Sequence, residues 1–262
     1  MQNYAEPLFR KGRVLKRESL EALRDFPGGL AKLGLSDWAD GILYGFDISY
    51  EAKGQAKDGE PENGAVVITA GAVWHQGQVV LTETEQIPFR AYEQQITVCL
   101  RLNPGSYTED FYVRQLELRL KNGEPGSNEL ELGRFRLSQG ARLRKDYRDL
   151  RDCRTVYNTL DITWVPYAGP GGITVSPVLL RMFARMVMDN TQAEDMDVQF
   201  ALLCLDHPPV SRECLLRYIC RRLGEPFREL SHSEIYERLV RIAGAGGRGM
   251  GQQRHREGPA VF

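Results

Sequence analysis

The sequence predicts an α+β protein, with an N-terminal antiparallel β-sandwich of jelly-roll type followed by a small C-terminal helical bundle. Short runs that alternate apolar and polar residues, separated by glycine-rich turns, fill the chain to about residue 165. Beyond residue 175 the spacing of apolar residues changes from two to the 3.6 of a helix. We therefore expect domains at 1–172 and 173–243, and a flexible Gly/Arg-rich tail at 244–262.

The N-terminal domain begins with an arm and a short helix. Residues 4–15 lack a helix or strand period but carry large apolar side chains. Leu20 and Leu23 then lie at helical spacing, and Pro27 with the two glycines after it predicts that this helix spans only 17–25. A terminal strand that completes the chain's own β-domain is the alternative interpretation of the arm.

Strand patterns fill the middle of the chain. The run 42–48 predicts one half-buried strand, because successive side chains of a strand point to opposite faces. The residues expected to share its inner face are Ile42, Tyr44, Phe46 and Ile48. Further strands, separated by turn residues, are expected at 66–68, 72–74, 78–81, 95–102, 111–120 and 129–137, with an extended piece over 155–165.

The C-terminal helices have recognisable ends. Ser176 followed by Pro177 has the pattern of an N-cap and a first helical residue. Ser231 and Glu234 have the spacing of a capping box, and Gly224 is placed to end a helix. Helices are therefore expected from 177 to about 187 and over 194–205, 211–223 and 233–243.

Charge and composition argue against several classes of function. The chain has 34 Lys and Arg residues against 35 Asp and Glu residues, so no net positive field favours nucleic acid or an anionic membrane. No apolar stretch approaches the roughly 20 residues of a membrane span. The first residues also lack the apolar run of a signal peptide. We expect a protein that is made in the cytoplasm and does not bind membranes.

The sequence contains no recognisable catalytic motif. Phosphate-loop, zinc-protease and α/β-hydrolase signatures are missing, and the GxGxxG match at 244–249 follows a helix instead of a strand. The best candidate for a metal site is the set Cys204, His207, Cys214 and Cys220. Its spacing lacks the close pairs of zinc sites and favours thiols buried in a core. We expect no enzyme activity, no metal and no cofactor.

Two groups of residues are candidates for binding a partner. The first lies in the arm, where apolar side chains alternate with basic ones, as in a segment that a neighbour orders. It consists of Leu8, Phe9, Arg10, Val14 and Leu15. The second is Arg217 and Arg221, on the basic side of the predicted helix 211–223. Nearby glutamates weaken the positive field of that helix, so nucleic acid is not the expected partner.

The glycine pattern of the first strands resembles a known family. The segments GILYGFDI at 41–48 and ITAGAVWHQGQVVL at 68–81 are similar to the N-terminal β-domains of phage-tail baseplate and tail-fibre attachment proteins. The layout over about 5–170, a β-domain entered through a short helix, continues into a small helical domain. That layout resembles the type VI secretion baseplate subunit whose shoulder is similar to siphophage receptor-binding proteins.

The resemblance implies a structural role without catalysis. It implies a baseplate component of a contractile phage-tail-like particle, acting as an adaptor that anchors tail fibres or other baseplate subunits. It also implies a homo-oligomer, commonly a trimer, that is cytoplasmic during assembly and then part of the particle or virion. Two alternatives remain open, namely a carbohydrate-binding β-sandwich module and a nucleic-acid-binding regulator that uses the C-terminal Arg-rich helix.

Overall fold

The computed structural model describes residues 7–53, 63–114, 116–206 and 209–244. Strands occupy the N-terminal part and helices the C-terminal part, as the sequence predicts. The strands are β1 Gly41–Gly45, β2 Ile48–Ala52, β3 Asn63–Ile68, β4 Gly71–His75, β5 Gln78–Thr82, β6 Glu85–Arg90, β7 Gln95–Leu102, β8 Ser106–Tyr107, β9 Tyr112–Val113, β10 Leu116–Lys121 and β11 Glu129–Arg136. The helices are α1 Arg17–Gly34, α2 Pro177–Met188, α3 Asp195–Asp206, α4 Arg212–Leu223 and α5 His232–Gly244. Within these ranges, no helix combines the length and apolar composition that crossing a membrane requires.

The strands pair into small antiparallel sheets. Three sheets have the strand orders β1-β4-β5, β2-β3-β6 and β10-β7-β11, and β8 pairs with β9 in a two-stranded ribbon. The three larger sheets share one hydrophobic core, in which Ile68, Val73 and Leu100 are fully buried. The antiparallel strand pairing is confirmed, and the stacking of the sheets as a sandwich or jelly roll stays a prediction.

The run 42–48 is not one strand, so that prediction is wrong. β1 ends at Gly45, and Phe46 adopts a φ of 59°, in the left-handed region. Gly45 itself has a φ of 82°, and a Cβ there would overlap the backbone oxygen of Ala70, so only glycine fits. The resulting kink directs β2 into a different sheet. A register shift between Ile42 and Tyr44 in the pairing of β1 with β4 also breaks the alternation of faces, and Tyr44 is 61% exposed.

Two other predicted strands also differ from the structure. The expected strand 111–120 is divided into β9 and β10, which belong to different sheets. The piece 155–165 forms only isolated bridges, to Arg134 and Arg144, because Asn158 has a φ of 58° that interrupts the extended backbone. The sequence pattern also failed to predict β6.

The first helix is longer than the sequence predicts. α1 continues through Pro27 and the following glycines to Gly34, so the predicted end at Pro27 is wrong. Leu30 and Leu33 extend the helical spacing of apolar residues beyond the proline, although an interior proline removes one helical hydrogen bond. None of the residues of α1 is buried, and the helix contacts the remainder of the chain mainly at β5.

The C-terminal helices agree closely with the prediction, including their caps. Ser176 Oγ accepts a hydrogen bond from Val178 N at the start of α2. Ser231 N donates to Glu234 Oε2 at 2.9 Å and Glu234 N donates to Ser231 Oγ at 3.3 Å, which completes the capping box. Gly224 ends α4 with a φ of 66°.

Residues before position 172 pack against the C-terminal helices and form hydrogen bonds with them. A 3-10 turn at Leu150–Arg154 packs into the helical core, and Tyr236 Oη donates to the backbone oxygen of Leu150 at 2.7 Å. Arg154 Nη2 donates to Ser233 Oγ at 3.0 Å. The division into folding units at residue 172 stays a prediction, and part of the helical core comes from before that point. The predicted tail lies outside the described residues after Gly244.

Candidate docking surfaces

The arm brings its predicted residues together on the surface. Residues 7–16 lie beside the first turns of α1 and enclose a hollow of about 500 Å³. Arg10 lines this hollow together with the apolar side chains of the arm, all more than half exposed: Leu8, Phe9, Val14 and Leu15. Val14 is 87% exposed. Residues 7–15 contain no strand, so the alternative of a terminal strand is wrong for this part of the arm, and residues 1–6 lie outside the described ranges.

α1 adds a second apolar surface next to the arm. Its large apolar side chains recur at intervals of three and four positions, the spacing of one helix face. They are Leu23, Phe26, Leu30 and Leu33, and each is more than half exposed. We call these four residues the α1 stripe. Because protein monomers rarely leave such a contiguous apolar surface in water, the α1 stripe is a candidate interface.

Arg217 and Arg221 line a groove between α3 and α4 that is separate from the arm. The groove has a volume of about 660 Å³. Its floor is apolar and aromatic, and consists of Met196, Phe200, Leu203, Cys214 and Tyr218. The rings of Phe200 and Tyr218 are stacked with their centroids 3.9 Å apart, which fixes the shape of the floor. We call this surface the α3–α4 groove.

A buried polar network holds the two walls of the groove together. Asp197 of α3 is almost fully buried and accepts hydrogen bonds from Tyr218 Oη at 2.8 Å and from Arg222 Nε at 2.9 Å. Burial, together with the hydrogen bond to Asp197, raises the pKa of the Tyr218 phenol, so the phenol stays protonated and remains the donor. The network therefore fixes α3 against α4.

The basic side of α4 is largely occupied by ion pairs within the chain. Three of its four arginines bind carboxylates: Arg212 binds Glu229, Arg217 binds Glu213, and Arg222 binds Asp197. Arg221 is exposed and has no ion pair within the described part of the chain. This arrangement lacks the continuous stripe of free cations that nucleic-acid binding uses, and it argues against that alternative.

Of the three cysteines of the metal candidate, Cys204 and Cys220 are buried and Cys214 is partly exposed. Cys204 lies in the helical core, where burial raises its pKa to about 12. Burial also raises the pKa of Cys214, which lines the groove, so both thiols are protonated at neutral pH. His207 lies outside the described residues. In the ranges that the structure does describe, no group of three or more His, Cys, Asp or Glu residues could hold a metal ion.

Sequence reasoning missed an aromatic surface on the β8–β9 ribbon. Tyr107 is 85% exposed, and its ring centroid lies 4.7 Å from that of Tyr112, with Phe111 exposed beside them. Tyr112 also lines a cleft of about 380 Å³ together with Asn103 and Asn128. The close spacing of three aromatic residues in a turn-rich segment was the available signal.

Comparison with solved structures finds a loose structural likeness. No protein-family model matches the chain, and no curated protein matches it. Among solved structures, the chain is similar to a chain in the cryo-electron microscopy structure of the type VI secretion system TssK-TssF-TssG baseplate subcomplex. The match covers 93% of this chain and 100% of that chain, with 11% sequence identity and a TM-score of 0.37. A likeness at this TM-score does not establish a shared fold or function.

Proposed function

We propose that the chain is a structural, non-catalytic subunit that docks onto other proteins of a multi-protein assembly. The exposed apolar arm is the observation that supports this most strongly. Burying one side chain the size of leucine or phenylalanine contributes about 1.5–3 kcal/mol. A partner that covers Leu8, Phe9, Val14 and Leu15 would therefore gain several kcal/mol of that order, and Arg10 could pair with an acidic group at the rim.

We further propose that this assembly is the baseplate of a contractile phage-tail-like particle. In it the chain anchors tail fibres or other baseplate subunits, as a homo-oligomer such as a trimer that forms in the cytoplasm before it joins the particle. The glycine pattern at 41–48 and 68–81 supports this proposal, as does the order of a strand-rich part followed by a helical bundle.

The environments of the described histidines support the absence of catalysis. His75 Nδ1 lies 2.9 Å from Asp40 Oδ2, and His232 Nε2 lies 3.2 Å from the backbone oxygen of Thr174. Neither ring is hydrogen-bonded to a serine, threonine or cysteine side chain in the described part of the chain. A nucleophile activated by an adjacent histidine base requires such a contact.

Incorporation into particles in the native cell tests the proposal. We expect the chain to sediment with tube, sheath and spike proteins, identified by mass spectrometry. A variant with serine at positions 8, 9, 14 and 15 should keep its circular dichroism spectrum but leave the particle fraction, because its arm no longer offers apolar surface. Val156→Ser, at another exposed apolar position, is the matched control and should be incorporated normally. Absence of the wild-type chain from particles, or incorporation of the arm variant, would contradict the proposal.

Carbohydrate binding is a second candidate function, and the aromatic β8–β9 ribbon favours it. Aromatic faces can stack on sugar rings, and the side-chain amides of Asn103 and Asn128 could bind hydroxyl groups. A glycan array probed with the wild type and with a Tyr107→Ala/Phe111→Ala variant is the test. Binding that this variant loses would support the role, whereas a wild type that binds no glycan would refute it.

A further inference from the structure

We propose that a cleft between β11 and the segment 155–164 binds a small soluble anion of the phosphate or carboxylate type through Arg136. The cleft has a volume of about 300 Å³, and three arginines line it: Arg134, Arg136 and Arg154. This site goes beyond the proposed docking function, because it contains none of the arm residues and its ligand is a small ion instead of a protein.

The geometry of β11 places its arginines at the cleft. Arg134 and Arg136 are two positions apart, so they share one face of the strand, whereas Phe135 between them belongs to the core of the strand-rich half. β11 is an edge strand of its sheet, and the segment 155–164 runs along that edge. Asn158 N donates to the backbone oxygen of Arg136 at 2.7 Å. The cleft therefore lies where this segment meets the edge of the sheet.

Arg136 is the residue on which the site depends. Its side chain is partly buried, and its Nε is fully buried without a hydrogen-bond acceptor among the described residues. It also forms no ion pair with any carboxylate in that part of the chain. Its guanidinium carbon lies 5.3 Å from the centroid of the Tyr157 ring, which helps to hold the side chain in place. Because a buried cation without a partner is costly, an anion that supplies acceptor oxygens stabilises this arrangement.

The other two arginines of the cleft already have partners. The guanidinium of Arg134 binds two glutamates. Arg154 Nε donates to Thr163 Oγ1 at 3.0 Å, and Arg154 Nη2 donates to Ser233 Oγ at 3.0 Å. These contacts fix both side chains as walls of the cleft. Of the three arginines, Arg136 is therefore the one with donors available to a ligand.

The cleft suits a small anion that presents two oxygen atoms. Nε and one Nη of an arginine can donate two parallel hydrogen bonds to a carboxylate or a phosphate. The Trp164 ring forms a wall that is held between charges, with its centroid 4.8 Å from the guanidinium carbon of Arg134 and 5.2 Å from that of Arg154. A wall fixed in this way lowers the entropic cost of binding. The volume lies at the lower end of the roughly 300–1,000 Å³ of small-molecule sites.

One carboxylate, that of Asp161, also lines the cleft. Its Oδ1 accepts hydrogen bonds from Thr163 N at 2.8 Å and from Thr163 Oγ1 at 2.7 Å. Its negative charge opposes an incoming anion. Asp161→Asn removes that charge and keeps an oxygen for the two hydrogen bonds, so it should strengthen the binding of an anion.

Titration of the purified full-length chain with sodium phosphate or sodium succinate tests the site. The reporter is the indole N–H signal of Trp164 in a ¹H–¹⁵N correlation spectrum, which the Trp164→Phe variant identifies among the signals of the three tryptophans. We expect at least one of the two anions to shift this signal saturably. Sodium chloride at the same ionic strength should not do so. The anion with the lower dissociation constant shows whether the site prefers phosphate or carboxylate.

Three variants connect the binding to particular charges, and circular dichroism checks that each is folded. Arg136→Gln should weaken binding by at least about tenfold, because charge-assisted hydrogen bonds are lost. Asp161→Asn should strengthen it by about twofold to fivefold, the range that one partly exposed charge interaction contributes. Arg185→Gln, which removes an exposed arginine of α2 outside the cleft, is the matched control and should bind like the wild type.

Three results would overturn the proposal. In the first, neither phosphate nor succinate shifts the Trp164 signal of the wild type more than sodium chloride does, a result that depends on no variant at position 136. In the second, Arg136→Gln binds the anion as tightly as the wild type. In the third, Asp161→Asn binds it more weakly. The serine variant of the arm should bind the anion like the wild type, so failure of this site can be distinguished from failure of the proposed function.

Discussion

Arg134 binds two carboxylates within the strand-rich half of the molecule. Its Nε donates to Glu131 Oε1 at 2.5 Å and its Nη1 donates to Glu124 Oε1 at 2.7 Å, while its guanidinium lies over the ring of Trp164. Arg134 and Glu131 are both buried. A buried charge is tolerated only when it is paired, so each of these residues depends on the other.

Arg134→Met should lower the free energy of unfolding by about 3–5 kcal/mol, because it leaves Glu131 as an unpaired charge in the interior. Urea denaturation measures this change. Arg134→Met combined with Glu131→Gln is the control and should lose less stability, since it removes both charges. Equal losses in the two variants would contradict this account of the pair.

His232 makes the stability of the helical half depend on pH. Burial lowers the pKa of His232 from its usual value, and the positive charge of Arg212 acts in the same direction. As the pH falls below about 6.5, the unfolded chain therefore binds a proton more readily than the folded chain, and stability decreases. We expect the free energy of unfolding to decrease on acidification from about pH 6.5 to 5, and His232→Gln to remove part of that decrease. If the free energy of unfolding depended on pH equally in the wild type and in His232→Gln, this role of His232 would be contradicted.

At the scale of single elements, the ends of α4 hold one wall of the groove in place. Ser211 Oγ accepts a hydrogen bond from Cys214 N at 3.3 Å and caps the helix. Ser211→Ala should cost about 1 kcal/mol of stability, measured by urea denaturation, because a backbone N–H at the helix start loses its partner. Ser36→Ala, at an exposed position outside any helix, is the control and should change little. A loss no larger than that of the control would show that the cap is unimportant.

Local signals explain why some elements could be predicted and others could not. The caps at Ser176, Ser231 and Gly224 are each formed within one helix, so sequence alone indicates them. The kink at Phe46 depends on the close approach of a distant loop at Ala70, which no local pattern contains. For the candidate site, the sequence indicated the arm and two arginines. The groove could not be predicted, because its floor forms only when α3 packs against α4.

Across the whole molecule, the helical half uses residues from before the predicted linker. Leu150 is fully buried in its core, and Arg154 Nη2 donates to Ser233 Oγ at 3.0 Å. A C-terminal fragment that begins at residue 145 should therefore be more stable than one that begins at residue 173. The expected difference is about 2–5 kcal/mol, the usual cost of losing one large buried apolar side chain. Thermal and urea unfolding of both fragments measure it, and equal stabilities would contradict the shared core.

If the arm is a docking segment, another protein must lie against Val14 in the assembled particle. A photo-crosslinking amino acid placed at position 14 in the native cell tests this directly, with position 156, where the valine is also more than half exposed, as a control outside the arm. We expect illumination to produce a discrete adduct between position 14 and a different protein of the particle, and no such adduct from position 156. Loss of all adducts from position 14, or adducts of equal yield from both positions, would contradict a docking role for the arm.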